Sequence, residues 1–121
     1  MTESYKSFSI NFVIRLRKTG LAFIKKGYDN VTCPFIPSVY ELWIEDEIYS
    51  HMTECKVLGK MRDHKQAMFL AVVMRKAYEL SKHNYPIFRE YFDVIITKYL
   101  NGNVHELLNH TDETLKIKLK K

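Results

Sequence analysis

The chain has 121 residues, of which 46% are hydrophobic and 27% are charged, and its formal net charge is +5. This length fits one domain over residues 1–121, because two halves would each be too small to bury a core of their own. Four Gly and three Pro exclude a low-complexity linker, and the longest apolar run, residues 67–74, is far shorter than the roughly 20 residues of a membrane-spanning helix. We therefore expect one folded domain without a membrane segment.

The N-terminus and the two cysteines predict an intracellular, cytoplasmic location. Residues 1–6 are polar, and no small-residue cleavage site follows an apolar run, so we expect no signal peptide. Cys33 and Cys55 could form at most one disulfide. A reduced chain is the simpler interpretation for a domain with this many apolar residues.

Residues 8–27 fit two patterns. Apolar residues at every second position from Phe8 to Leu16 are typical of a strand. On a helical wheel, one face is apolar and the opposite face is basic, and Lys25, Lys26 and Gly27 make a good helix end. The helical pattern explains more residues, so we predict a helix over 9–27, with a strand over 8–17 as the alternative.

The second predicted helix follows a loop at residues 28–37. Ser38 and Glu41 have the spacing of a capping box, which predicts a helix from residue 38 to about residue 58, before Gly59. The predicted buried stripe consists of Tyr40, Ile44, Ile48, Met52, Cys55 and Leu58.

The third predicted helix begins at a second capping box, formed by Asp63 and Gln66. Residues 67–74 are apolar on all sides, which predicts a central helix buried on every face. The later turns are expected to reach the surface, because they carry Arg75, Lys76, Glu79 and Lys82.

The fourth predicted helix starts near Pro86 and ends at Asn101 and Gly102. Its buried stripe is Phe88, Tyr91, Phe92, Ile95, Ile96 and Tyr99.

A short fifth helix is expected over 103–110. Residues 114–121 alternate like a strand, so the tail is expected either to pair with residues 8–14 at an edge or to fray as a basic end over 112–121. The predicted fold is an all-α, compact bundle of four to five helices, with that short edge-strand pair as an option.

Charge is spread unevenly along the chain. Residues 1–37 contain six Lys or Arg against two acidic residues (net +4), whereas residues 38–63 contain three against six (net −3). This pattern fits internal charge complementarity, or a positive surface for an anionic partner. The candidate nucleic-acid-binding residues are Arg15, Lys18, Lys25, Lys26, Lys118 and Lys120. Lys outnumbers Arg by 14 to 5, which favours contacts with phosphates over readout of bases.

Most aromatic residues fall on the predicted stripes, and Trp43 is the notable exception. On the wheel it lies with Val39 and Val57, opposite the stripe of Ile44. The pattern favours burial of this helix on two sides. If Trp43 is instead exposed, then Val39, Trp43 and Glu47 form a candidate interface for a protein partner.

The sequence contains no nucleophile elbow, phosphate-binding loop or dinucleotide-binding glycine pattern, so we predict neither enzymatic activity nor a cofactor. His51 and Cys55 lie one helical turn apart, and with Cys33 and His64 they could hold zinc. However, this spacing matches no standard motif and Cys55 falls on the apolar stripe. A small buried thiol is therefore the preferred interpretation, and no metal site is predicted.

These observations predict a small, non-enzymatic binding or regulatory protein whose partner is another protein. The alternative is a nucleic-acid accessory protein that contacts phosphates through its first helix and its C-terminal tail. An enzyme or a zinc-stabilised regulator built on His51 and Cys55 is the third hypothesis. Self-association stays open.

Overall fold

The computed structural model describes residues 8–18, 37–82 and 85–120, without the side chains of 37–43, 45, 85 and 86. The regular elements in these ranges are all helical. In chain order they are α1 (8–18), α2 (Pro37–Val57), α3 (Met61–Leu80), α4 (Tyr85–Leu100), a 3-10 helix (Val104–Leu107) and α5 (Asp112–Leu119). The all-α bundle is therefore confirmed. The optional edge-strand pair is wrong, because residues 8–14 and most of the tail are helical.

Helix α3 lies at the centre of the bundle and packs against α2, α4, the 3-10 helix and α5. The core is continuous and includes side chains from all five α-helices and from the 3-10 helix. Its largest fully buried side chains are Tyr91, Tyr99, Phe12, Phe88, Phe92, Leu16, Ile48, Leu70, Ile95, Ile96 and Leu107.

Helix α1 settles the choice between strand and helix within residues 8–18. Phe12, Val13 and Leu16 are buried together, whereas Ile10 and Ile14 are exposed. A strand would have placed Ile10, Phe12 and Ile14 on the same face. The remainder of the predicted helix, residues 19–27, and the predicted loop at 28–36 lie outside the described residues.

Helix α2 begins at Pro37, one residue before Ser38, and proline is well suited to a first helical position. It ends at Val57, and Gly59 follows with a φ of 73°, a conformation that glycine adopts without strain. Ile44, Ile48 and Cys55 are buried as predicted, whereas Leu58 is exposed because it lies beyond the helix. Tyr40 has no described side chain.

Helix α3 differs from its prediction in two respects. It begins at Met61, so Asp63 lies inside the first turn instead of capping the helix, and this carboxyl is buried. The helix is also not buried on every side, because Met68 and Val72 are 44% and 52% exposed. The face of α3 opposite these two residues is buried, and its burial continues through the later turns at Ala77 and Tyr78.

Helix α4 has the predicted buried stripe in full, and Gly102 follows it with a φ of 75°. The short element after it is a 3-10 helix over Val104–Leu107, shorter than the helix predicted there. The hydroxyl oxygen of Thr111 then accepts a hydrogen bond from the backbone N–H of Thr114 (3.4 Å) and caps α5.

Helix α5 corrects the prediction of a strand-like or frayed tail. Leu115 and Leu119, four residues apart, are buried, whereas Ile117 between them is 61% exposed. Acidic residues occupy the first turn and lysines the last turn, which favours a helix through its dipole. Packing of one leucine face against α3 and α4 therefore decides the conformation of this segment.

Candidate functional site

The predicted protein interface lies at the beginning of α2. The side chains of Val39 and Trp43 lie outside the described residues. Glu47 is partly exposed, and its Oε2 lies 3.5 Å from Nε of Arg15 in α1. This carboxylate therefore contributes to the contact between α1 and α2.

The predicted basic surface of α1 includes Arg15, the partner of Glu47 in this contact. Nη2 of Arg15 also lies 3.6 Å from Oε2 of Glu54, so this guanidinium faces two carboxylates of α2. Lys18 is exposed, whereas Lys25 and Lys26 lie outside the described residues. In the tail, Lys118 and Lys120 are both exposed on α5. The structure thus describes four of the six candidate phosphate-binding residues and places three of them in solvent.

His51 and Cys55, the predicted zinc candidates, lie in the core and not at the surface. The imidazole of His51 stacks on the ring of Phe12 with 3.8 Å between centroids and 1° between planes. Its Nε2 lies 2.9 Å from the hydroxyl oxygen of Tyr99 and 3.6 Å from the sulfur of Cys55. Side chains from α1, α2 and α4 therefore meet around one buried histidine.

The electrostatics of this cluster favour neutral side chains. Burial, with a smaller contribution from the positive charge of Arg15, lowers the pKa of His51 to about 4. Burial and the nearby carboxylates of Asp63 and Glu54 raise the pKa of the Cys55 thiol to about 11. A catalytic or metal-binding cysteine needs the opposite shift, because the thiolate is the reactive form.

Some buried polar atoms have no hydrogen-bond partner within the described residues. They include Oγ of Ser9 in α1, Nδ1 of His51 in α2, and Oδ1 of Asp63 and Oε1 of Gln66 in α3. Burial also raises the pKa of Asp63, although Lys60 and Arg62 act against this shift. No three His, Cys, Asp or Glu side chains of the described part of the chain are arranged to hold a metal ion. Cys33 lies outside that part.

A surface that the sequence did not predict lies on α2 and α3. Met61, Met68 and Val72 follow one another at seven and four residues along α3, on the side opposite its buried stripe, and all three are exposed. Tyr49 of α2 is exposed as well and lines, together with Val72, a shallow cleft of about 260 Å³. We call these four residues the α2–α3 face. Met68 and Val72 belong to the apolar run at residues 67–74, from which burial on every side is predicted, whereas Tyr49 and Met61 lie outside that run.

A second concave region lies between α4 and α5. It is a groove of about 710 Å³ with an apolar part formed by Val94, Leu107 and Ile117. Lys98, Asn101 and Lys118 complete much of its lining. One predicted site residue, Lys118, therefore borders a groove and is not part of an extended basic tail.

Comparison with protein-family models, curated proteins and solved structures gives no significant match to this chain. None of the helices in the described ranges combines the length and the apolar character needed to cross a membrane.

Proposed function

We propose that this chain is a small, non-enzymatic protein that acts by binding another protein, and that the α2–α3 face is its interface. The observation that carries the proposal is the exposed apolar row of α3. Met68 and Val72 lie one helical turn apart and face away from the core, where an ordinary solvated helix carries polar side chains. Exposed apolar residues that cluster on one face are typical of interaction sites.

The chemistry of the face indicates the kind of partner. Lys65 and Arg75 lie at helical spacing beside Met68 and Val72, and Lys76 and Glu79 line the same cleft as Val72, so basic residues outnumber acidic ones around the apolar row. Methionine is flexible and adapts to differently shaped apolar surfaces. The matching partner is an amphipathic helix with an apolar stripe and acidic flanks, which would lie along α3.

A non-enzymatic role is supported by the buried cluster around His51. Catalysis by a thiolate and an imidazole requires access to substrate and a lowered thiol pKa. Cys55 is buried and the pKa of its thiol is raised, so this pair fits packing better than catalysis.

The test is affinity capture from nuclease-treated extracts of the native host, with three forms of the full chain. The double variant Met68→Asp, Val72→Asp places two charges on the α2–α3 face. The control Ile117→Asp places a charge at an exposed apolar position on α5. We expect the double variant to lose at least about tenfold of the captured partner and the control to retain it, at equal thermal stability.

Two results would contradict the proposal. Equal capture by all three forms would show that the α2–α3 face does not bind the partner. Capture from untreated extracts that is lost from nuclease-treated ones would favour the nucleic-acid alternative, whose described exposed residues are Lys18, Lys118 and Lys120. The interface at Val39, Trp43 and Glu47 stays a prediction, and Trp43→Ala in the same assay tests it.

A further inference from the structure

The groove between α4 and α5 has the composition of a ligand site and lies apart from the proposed interface. Val94 and Ile117 form opposite apolar walls, and the buried side chain of Leu107 lies at the base. Its volume of about 710 Å³ falls within the range of about 300–1,000 Å³ that is usual for small-molecule sites.

The polar groups of the groove favour a negatively charged ligand. The hydroxyl of Thr97 donates to the backbone carbonyl of Asp93 (2.9 Å), and the hydroxyl of Thr114 is hydrogen-bonded to that of Thr111 (2.8 Å). These contacts engage both threonines. Asn101 contributes a neutral amide to the lining, whereas Lys98 and Lys118 contribute two positive charges.

The two lysines differ in their present contacts. Nζ of Lys98 lies 3.4 Å from Oε2 of Glu106, in a pair that is partly exposed. Lys118 is exposed and has no ion pair within the part of the chain that the structure describes. The lining of the groove therefore contains two lysines and no carboxylate, and Glu106 beside it is paired with only one of them, Lys98.

The dimensions of the groove favour a small molecule over a docked helix. The wall contributed by α5 runs from Thr114 to Lys118, which is about 6 Å at the rise of an α-helix. A helix in a groove needs contacts from position i to position i+7, or about 10 Å along both walls. The walls of this groove face each other over only about one helical turn.

We propose that this groove binds an anionic amphiphile, a molecule with one carboxylate or sulfate head and an alkyl body of about ten carbon atoms. Unlike a helix, such a chain is flexible and can fold to fit walls that face each other over only one helical turn. The head lies between Lys118 and Lys98, and the alkyl body lies along Val94 and Ile117 over Leu107. This site is independent of the protein interface proposed above, so either proposal can fail without the other.

The experiment is a titration of the isotope-labelled full chain with sodium decanoate, followed by backbone amide chemical shifts. We expect saturable shifts concentrated in residues 94–101 and 114–118. Decyltrimethylammonium has the same alkyl chain with the opposite charge, and we expect it to bind at least about tenfold more weakly. Equal binding of both amphiphiles, or shifts centred elsewhere in the bundle, would overturn the proposal.

A matched pair of variants tests the assigned lysine. Lys118→Glu reverses the charge at the groove, whereas Lys116→Glu makes the same change two residues away on the other flank of α5, where Lys116 lines a different cleft. We expect Lys118→Glu to raise the dissociation constant for decanoate about tenfold and Lys116→Glu to change it less than about twofold. Equal effects of the two variants would show that only the net charge of the protein matters and would overturn the site.

Two further measurements test whether the groove is instead occupied by a second copy of the chain or by a peptide. If dilution of the free chain shifts the same amides, the groove is occupied by a second copy. If an acidic amphipathic peptide displaces decanoate and shifts amides along the whole of α4, the ligand is a peptide. Either result would overturn the proposal. Should Lys118→Glu fail to fold, Lys118→Gln and Ile117→Ser replace it, and each is expected to weaken decanoate binding.

Discussion

His51 links the stability of this protein to pH, because its buried ring is held in the neutral form. The pKa of His51 is about 4 in the folded chain, against 6.5 for an ordinary histidine. Between these values the unfolded chain binds a proton that the folded chain does not, so the stability that His51 contributes is complete above pH 6.5 and is lost as the pH falls toward 4. We expect a loss of about 3 kcal/mol in the free energy of unfolding over this window, measured by urea denaturation.

The variant His51→Leu isolates this contribution. Asp63 has the opposite effect, because a carboxyl whose pKa is raised by burial contributes stability at low pH that is lost as the pH rises above its ordinary value. Asp63 is present in both proteins, so its contribution largely cancels in the difference between them. The variant is expected to lose much less stability than the natural chain as the pH falls from 6.5 to 4. Parallel pH profiles would show that His51 is not the titrating group.

At the scale of the elements, α3 has one face in the core and one in solvent. Leu70 is fully buried, and Leu70→Ala is expected to lower the free energy of unfolding by roughly 2–5 kcal/mol. Met74→Ala should behave in the same way. Val72 is 52% exposed, so Val72→Ala serves as the control and should change stability by less than about 0.5 kcal/mol. A large loss from Val72→Ala would mean that another chain covers this face.

Helix α5 allows a direct test of helix against strand. In a strand, Leu115, Ile117 and Leu119 would share one face and would contribute similarly to stability. In the helix, Leu115 is buried and Ile117 is exposed. We therefore expect Leu115→Ala to cost roughly 2–5 kcal/mol and Ile117→Ala less than about 0.5 kcal/mol in chemical denaturation. Equal losses from the two variants would restore the strand interpretation.

These elements show how far the sequence alone could lead. The stripe of α4 was predictable because every large apolar residue at its helical spacing is also in the core. The exposure of Met68 and Val72 on α3 was not predictable, because an apolar residue at an interface and one in the core look the same in the sequence. In the tail, the four-residue spacing of Leu115 and Leu119 fits both the two-residue repeat of a strand and the turn of a helix. Tertiary packing decides between the two. His51 was missed as a core residue because it is polar, although it falls on the stripe of Ile44, Ile48 and Cys55.

At the scale of the whole molecule, two oppositely charged segments of the sequence meet where α1 packs on α2. Arg15 comes from the basic first segment, and Glu47 and Glu54 come from the acidic second segment. Internal charge complementarity therefore accounts for part of the uneven charge pattern. The same contact covers the buried cluster, because Phe12 lies one turn before Arg15 and stacks on His51.

The attachment of α1 can be tested with two charge reversals on this helix. Arg15→Glu places a third carboxylate beside Glu47 and Glu54, whereas Arg17→Glu makes the same change in charge at an exposed position. We expect Arg15→Glu to lower the free energy of unfolding by about 1 kcal/mol more than Arg17→Glu at low salt, since exposed ion pairs each contribute less than about 1 kcal/mol. The difference should shrink in 1 M salt, where the screening length is about 3 Å. A difference that persists in 1 M salt would mean that Arg15 holds α1 through packing of its side chain over Phe12, whose ring centroid lies 5.9 Å from its guanidinium carbon.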